Sequence, residues 1–132
     1  MAIQTLELMS GEYAICKLPP HELLPSWLET SAFHCVTRTS DELSVLCLAA
    51  QVPASVQHAR GWRLLKLQGP FAFTEVGILS GVLKPLAAAK VGILAISTFD
   101  TDYVLVQSEV LKLARDALLA AGYAFTAQEA GT

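Results

Sequence analysis

Short apolar runs, broken by proline, glycine and small polar clusters, make up most of the chain, and their spacing switches between a period of two and a period of about 3.6. Residues 5–9 and 13–18 read as strands joined at Ser10-Gly11. Pro19-Pro20 ends the second, because neither residue can donate a backbone hydrogen bond to a neighbouring strand. Leu23, Leu24, Trp27 and Leu28 then recur at helical spacing, which predicts a helix over 21–30 with Pro25 in its first turn. Residues 33–37 and 43–49 read as a hairpin closed by Arg38-Thr39-Ser40-Asp41. Residues 52–61 show no period and contain Pro53 and Gly61, so they read as a connection with a short helix near 55–59.

A strand over 62–67 follows, ended by Gly69-Pro70. Val76, Leu79, Val82, Leu83 and Leu86 predict a helix over 74–90, kinked at Pro85, whose ring would press on the Gly81 carbonyl. Residues 91–97 and 103–106 form a second hairpin. Ser108 is placed to cap a last helix, with Val110, Leu111, Ala114, Ala117, Leu118 and Ala121 on its inner face. Gly122 suits a left-handed stop, 123–125 a final strand, and 126–132 a frayed end.

The stretch 91–106, VGILAISTFDTDYVLV, sets a polar insert, Ser97 to Asp102, between two runs apolar enough to be buried strands. An earlier stretch, AFHCVTRTSDELSVLC at 32–47, aligns with it without a gap: Thr37 falls on Ser97, Asp41 on Thr101, Glu42 on Asp102, Leu43 on Tyr103 and Val45 on Leu105. The chain therefore reads as two copies of one unit, 1–60 and 61–132. The second has the β-α-β-β-α-β order of a ferredoxin-like fold. The expected class is α+β: two such lobes in tandem, with antiparallel sheets and helices packed on one face.

With 132 residues, 53% of them hydrophobic, the chain can bury a core that two half-sized lobes share. A net charge of −3, with 9 scattered basic residues, argues against a nucleic-acid or anionic-membrane partner. No apolar run reaches the ~20 residues of a membrane span, and the N-terminus has no basic region followed by an apolar core, so a cytoplasmic protein is expected. Cys16, Cys35 and Cys47 are odd in number and sit in strand-like runs, which predicts reduced, buried thiols. His21, His34 and His58 have no ligand spacing, and neither a metal nor a cofactor is called for.

Residues 69–106, GPFAFTEVGILSGVLKPLAAAKVGILAISTFDTDYVLV, with weaker support from VTRTSDELSVLC at 36–47, resemble tandem ACT-type ligand-binding domains of the branch found in the CASTOR arginine sensors and in small bacterial proteins. The resemblance implies a non-catalytic sensor that holds a free amino acid or analogue at an interface between ACT lobes, as a homodimer, and reports to a regulatory protein partner. It implies ligand contacts from Ala72, Phe73, Thr74, Glu75 and Gly77 at the helix entry, and from Thr98, Phe99 and Asp102 at the hairpin. The arginine sensors carry glycine where this chain has Ala72, so arginine is not carried over as the ligand.

The chemistry suits a zwitterion on its own terms. A helix start near 73–77 offers unpaired amides and a favourable dipole to a carboxylate, Asp102 or Glu75 can accept an ammonium, and Phe99 can cover the site. Each also has a plainer role: Asp100 and Asp102 in a turn, Glu75 as a first-turn charge, Phe99 in packing. Arg38 can grip a carboxylate in bidentate fashion or pair with Asp41 at the surface. Two other function classes stay open. A thiol enzyme would need Cys35 or Cys47 beside a histidine, but no G-x-S-x-G elbow, phosphate loop or paired-carboxylate pattern accompanies them. A ligand-independent dimerisation module would use the open sheet edges of the fold.

Overall fold

A computed structural model describes residues 4–126. In chain order the elements are β1 (Thr5–Leu8), β2 (Tyr13–Leu18), β3 (Cys35–Arg38), β4 (Leu43–Leu48), β5 (Gln57–Leu67), α1 (Ile78–Ala88), β6 (Ile93–Ser97), β7 (Asp102–Gln107), α2 (Leu111–Ala120) and β8 (Ala124–Phe125). Single 3₁₀ turns occupy Ala49–Gln51 and Ser108–Val110. The chain forms two compact units, one of residues 11–62, the other of the residues up to Ser10 together with those from Arg63 onward. Among the described residues no helix is long and apolar enough to cross a membrane.

In the second unit the strands run in the order β6-β7-β5-β1-β8. Leu6 and Leu8 of β1, Leu65 and Leu67 of β5, and Val104 and Val106 of β7 are each two apart, so they share one face of the pleat. Val82 and Leu86 of α1 and Ala114 and Leu118 of α2 bury against that face, which puts both helices on one side. β8 pairs with β1 in parallel, Thr5 opposite Ala124, so the sheet is mixed where antiparallel pairing was expected. The β-α-β-β-α-β order is present from β5 onward, with β1 inserted between β5 and β8.

The unit of residues 11–62 is a four-stranded antiparallel arrangement, β3-β4-β2-β5, with Cys16, Leu43, Val45, Cys47 and Leu28 as its core. It has no α-helix, so the first lobe is not a copy of the second. The segment expected to be helical over 21–30 is a run of tight turns instead, with amides of Glu22, Leu28 and Ala32 bonding the carbonyls of Pro19, Pro25 and Glu29. Pro25 pushes Leu24, the residue before it, out of the helical region, and Leu23 and Leu24 lie exposed while Leu28 alone of the three leucines is buried.

Other expectations shift in bounds. β5 begins at Gln57, so no helix forms over 55–59, and the strand passes through Gly61 at φ +92°. β1 pairs with β5 and β8 rather than with β2, and it belongs with residues from 63 onward, whereas the sequence grouped it with 1–60. Helix α1 starts at Ile78, four residues late, leaving Val76 exposed, and it continues through Pro85. Gly81 has a second reason to be glycine: a Cβ there would meet the Tyr123 hydroxyl at 2.8 Å. Ser108 opens the 3₁₀ turn and makes no capping bond. Gly122 takes φ +100°, and the Tyr123 amide reaches back to the Leu118 carbonyl at 3.0 Å, as a left-handed helix stop requires. Of the expected frayed end only Thr126 is among the described residues, and its amide bonds the Leu6 carbonyl at 2.9 Å.

Candidate ligand-binding site

The turn between β6 and β7 is built by two threonines. The Thr98 amide and hydroxyl both donate to the Thr101 carbonyl, at 2.8 and 3.1 Å, and the Thr101 hydroxyl donates to the carbonyl of Leu67 at the end of β5. A further bond, Phe71 amide to Asp100 carbonyl at 2.7 Å, ties the loop leaving β5 to the same turn. Gly69 sits at the crossing, where a Cβ would lie 2.8 Å from the Asp100 carbonyl oxygen. The hairpin tip and the 68–77 loop are thus latched side by side.

That loop closes on itself before the helix begins. The Glu75 amide donates to the Ala72 carbonyl at 3.0 Å, and Glu75 Oε1 accepts the Ala72 amide at 2.8 Å, so residues 72–75 form a turn held from both sides. Gly77 then adopts φ +79°, a left-handed conformation that costs a glycine little, and no side chain caps α1. The first helical bond runs from the Gly81 amide to the Gly77 carbonyl. Helix geometry leaves the amides of Ile78, Leu79 and Ser80 without intrahelical acceptors.

Between these elements lies a cavity of about 500 Å³. The start of α1 and the 71–77 loop form one part of its lining, and residues 97–102 form the other. Of the residues singled out in the sequence, Ala72, Phe73, Glu75, Gly77, Thr98, Phe99 and Asp102 line it; Thr74 does not. Arg38 lies in the unit of residues 11–62, where its Nη1 donates to the Pro20 carbonyl at 2.5 Å. The cavity also takes in Ser97, Asp100 and Thr101 of the polar insert, Phe71 and the helical Ser80, none of which was named as a ligand contact. Ser97 could have been found from the hairpin register: it pairs with Asp102, and its hydroxyl donates to Asp102 Oδ1 at 2.5 Å.

The repeat has a different register from the gapless one. Arg38 opposes Leu43 as Ser97 opposes Asp102, and Thr39 bonds the Glu42 carbonyl as Thr98 bonds that of Thr101. The equivalence is therefore Thr39 to Thr98, Glu42 to Thr101 and Leu43 to Asp102. A slip of one residue exchanges the faces of a strand, so the acidic Glu42 is not the counterpart of Asp102. The buried Leu43 is.

Residues 57–120 match the ACT domain family profile, and residues 11–55 match a separate profile for an N-terminal domain. The crystal structure of protein Atu0741 from Agobacterium tumefaciens is 40% identical, covering 96% of this chain and 94% of that one, with a TM-score of 0.89. The chain belongs to the Atu0741 family and carries an ACT domain over residues 57–120. A Vibrio cholerae protein of unknown function, VC0802, described as a possible transport protein, shares the fold at 21% identity, 90% coverage of both chains and a TM-score of 0.73. So does the ligand-free regulatory subunit of aspartate kinase from Thermus thermophilus, at 8% identity, 91% and 99% coverage and a TM-score of 0.62. No curated protein matches in sequence. The cavity lies wholly within the stretch that matches the ACT domain.

Proposed function

We propose that this ACT-domain protein is a non-catalytic regulator that binds a free amino acid or a close analogue in the cavity at the start of α1. The observation that carries this reading is the pairing of chemistries around one space. Amides at the uncapped start of α1 suit a carboxylate, and the Ser97–Asp102 pair suits an ammonium. Asp102 spends one oxygen on Ser97 and keeps the other for a ligand. The fold shared with a regulatory subunit of aspartate kinase accords with a regulatory role. In this reading the protein acts in the cytoplasm as a homodimer, in the manner of the CASTOR-like branch, and ligand binding shifts the population that a protein partner recognises.

Of the two thiols that a thiol-dependent enzyme would use, Cys47 is pushed up to about 12 by burial, with Cys16 beside it adding to the effect, while Cys35 of β3 is only partly buried. Cys47 is therefore not a ready thiolate nucleophile.

The test is a thermal-shift screen of the common amino acids and their analogues, followed by calorimetry. A ligand at 100 times its dissociation constant adds about 2.7 kcal/mol of stability. Asp102→Asn should weaken binding at least ~tenfold, since a hydrogen bond to a charged group is worth about 1.5–3 kcal/mol, while the melting temperature without ligand stays near wild type. If no compound shifts the melt, the ligand-independent interaction module replaces this reading.

A further inference from the structure

We propose that the cationic end of the ligand is an alkylated ammonium, so that the cavity takes an N-methylated amino acid of the betaine type. The proposal rests on reading the cavity as a small-molecule site. Phe73 and Phe99 form an aromatic corner there: their centroids are 4.8 Å apart and their planes meet at 73°. Rings set this way are adjacent walls, not a stack. They remain 76% and 77% exposed, an unusual state for two phenylalanines in contact, and Phe71 lines the same space. With centroids this close, a single cation can lie within the ~6 Å over which a ring face attracts it from both walls at once.

Charge points the same way. Among the described residues Glu75, Asp100 and Asp102 line the cavity and no lysine or arginine does, so its field favours a cation. Which cation depends on what its nitrogen needs. A primary ammonium has three N–H donors, which the remaining oxygens of Glu75, Asp100 and Asp102 can accept, but hydrogen bonding to carboxylates makes no use of the ring faces. A trimethylammonium has no donor to satisfy and sheds its water at low cost. It is held by ring faces and by carboxylates acting at a distance. The exposed phenyl corner, which a plain ammonium would leave wet, is the part of the site that a methylated one covers.

Calorimetric titration of the full chain with glycine betaine, choline and glycine tests this. Glycine betaine should bind at least ~tenfold tighter than glycine, and Phe73→Leu and Phe99→Leu, which keep apolar bulk but lose the ring, should each weaken it by up to ~tenfold, with Phe99→Trp restoring it. Choline, which has the head group without the carboxylate, should bind more weakly than glycine betaine; equal or tighter choline binding would overturn the amino-acid part of the assignment. Glycine or another unmethylated amino acid binding as tightly as betaine, with no effect of the leucine variants, would overturn the inference and leave the small-molecule site standing. Silence from all of these and from the common amino acids would remove both.

Discussion

Cys47 shows what burial alone does to a reactive group. It lies in β4, fully buried, with Cys16 of β2 in the same small core, and its thiol is pushed up from an ordinary 9.0 to about 12. Burial raises Cys16 as well. A raised value means the fold favours the protonated form. The stabilisation is therefore fully present below about pH 9, where unfolded thiols are also protonated, and is lost as pH rises towards the folded values. Melting temperature followed from about pH 8 to about pH 11 should fall more steeply in the wild type than in Cys16→Ala/Cys47→Ala. Equal slopes would mean that these thiols titrate alike in the folded and unfolded chain. Sequence reasoning reached Cys16 and Cys47 because their strand runs are apolar, but Cys35, also expected to be buried, is only partly so, because β3 is the outermost strand of its arrangement. It marked the insert that holds Ser97 and Thr101 but left both out of the ligand contacts, because a serine at a strand end and a threonine in a turn look ordinary until their partners, Asp102 and the Leu67 carbonyl, are known.

At the scale of elements, the sequence succeeded where one signal acted without a rival. The 3.6 period and Gly122 located α2 and its end, and the apolar runs located β6 and β7. It failed where two signals competed. The leucines at 21–30 have helical spacing, but Pro25 wins because it pushes Leu24 out of the helical region, and so the first unit has no helix start to offer a ligand. Helix α1 begins late because Glu75 folds back on Ala72 and Gly77 turns left-handed, features that periodicity does not record. The hairpin register was misjudged by one because the gapless alignment ignored the threonine turns, which alone fix the pairing. The latch between loop and hairpin predicts a specific sensitivity at Gly69. Gly69→Ala places a Cβ against the Asp100 carbonyl and within 3.1 Å of Thr101 Cβ, both parts of the turn. Backbone cannot give way as a flexible side chain can, so the variant should lose about 1–3 kcal/mol and open the cavity's edge. A melt lowered by several degrees together with weakened ligand binding is expected. Unchanged binding would separate the latch from the site.

For the whole molecule, the informative strand is β1. A division at residue 60 makes the ACT-matched region an independent lobe, yet Leu6 and Leu8 are part of that region's own core, and β1 stands between β5 and β8 in its sheet. Without β1, β8 keeps no described strand partner, the Ala124 and Thr126 amides lose the carbonyls of Gln4 and Leu6, and the Leu65 and Leu67 face is uncovered on that side. Burying two leucines contributes about 3–6 kcal/mol, comparable to the whole stability of a small domain. A fragment of residues 61–132 should therefore melt without a cooperative transition. One in which residues 1–10 are joined through a short glycine-serine linker to 63–132 should regain the transition, because the linker replaces only the first unit and restores the strand. Circular dichroism melts of the two fragments decide it. A cooperative transition in 61–132 alone, at the temperature of the linked form, would show that β1 is an accessory to a core already complete without it.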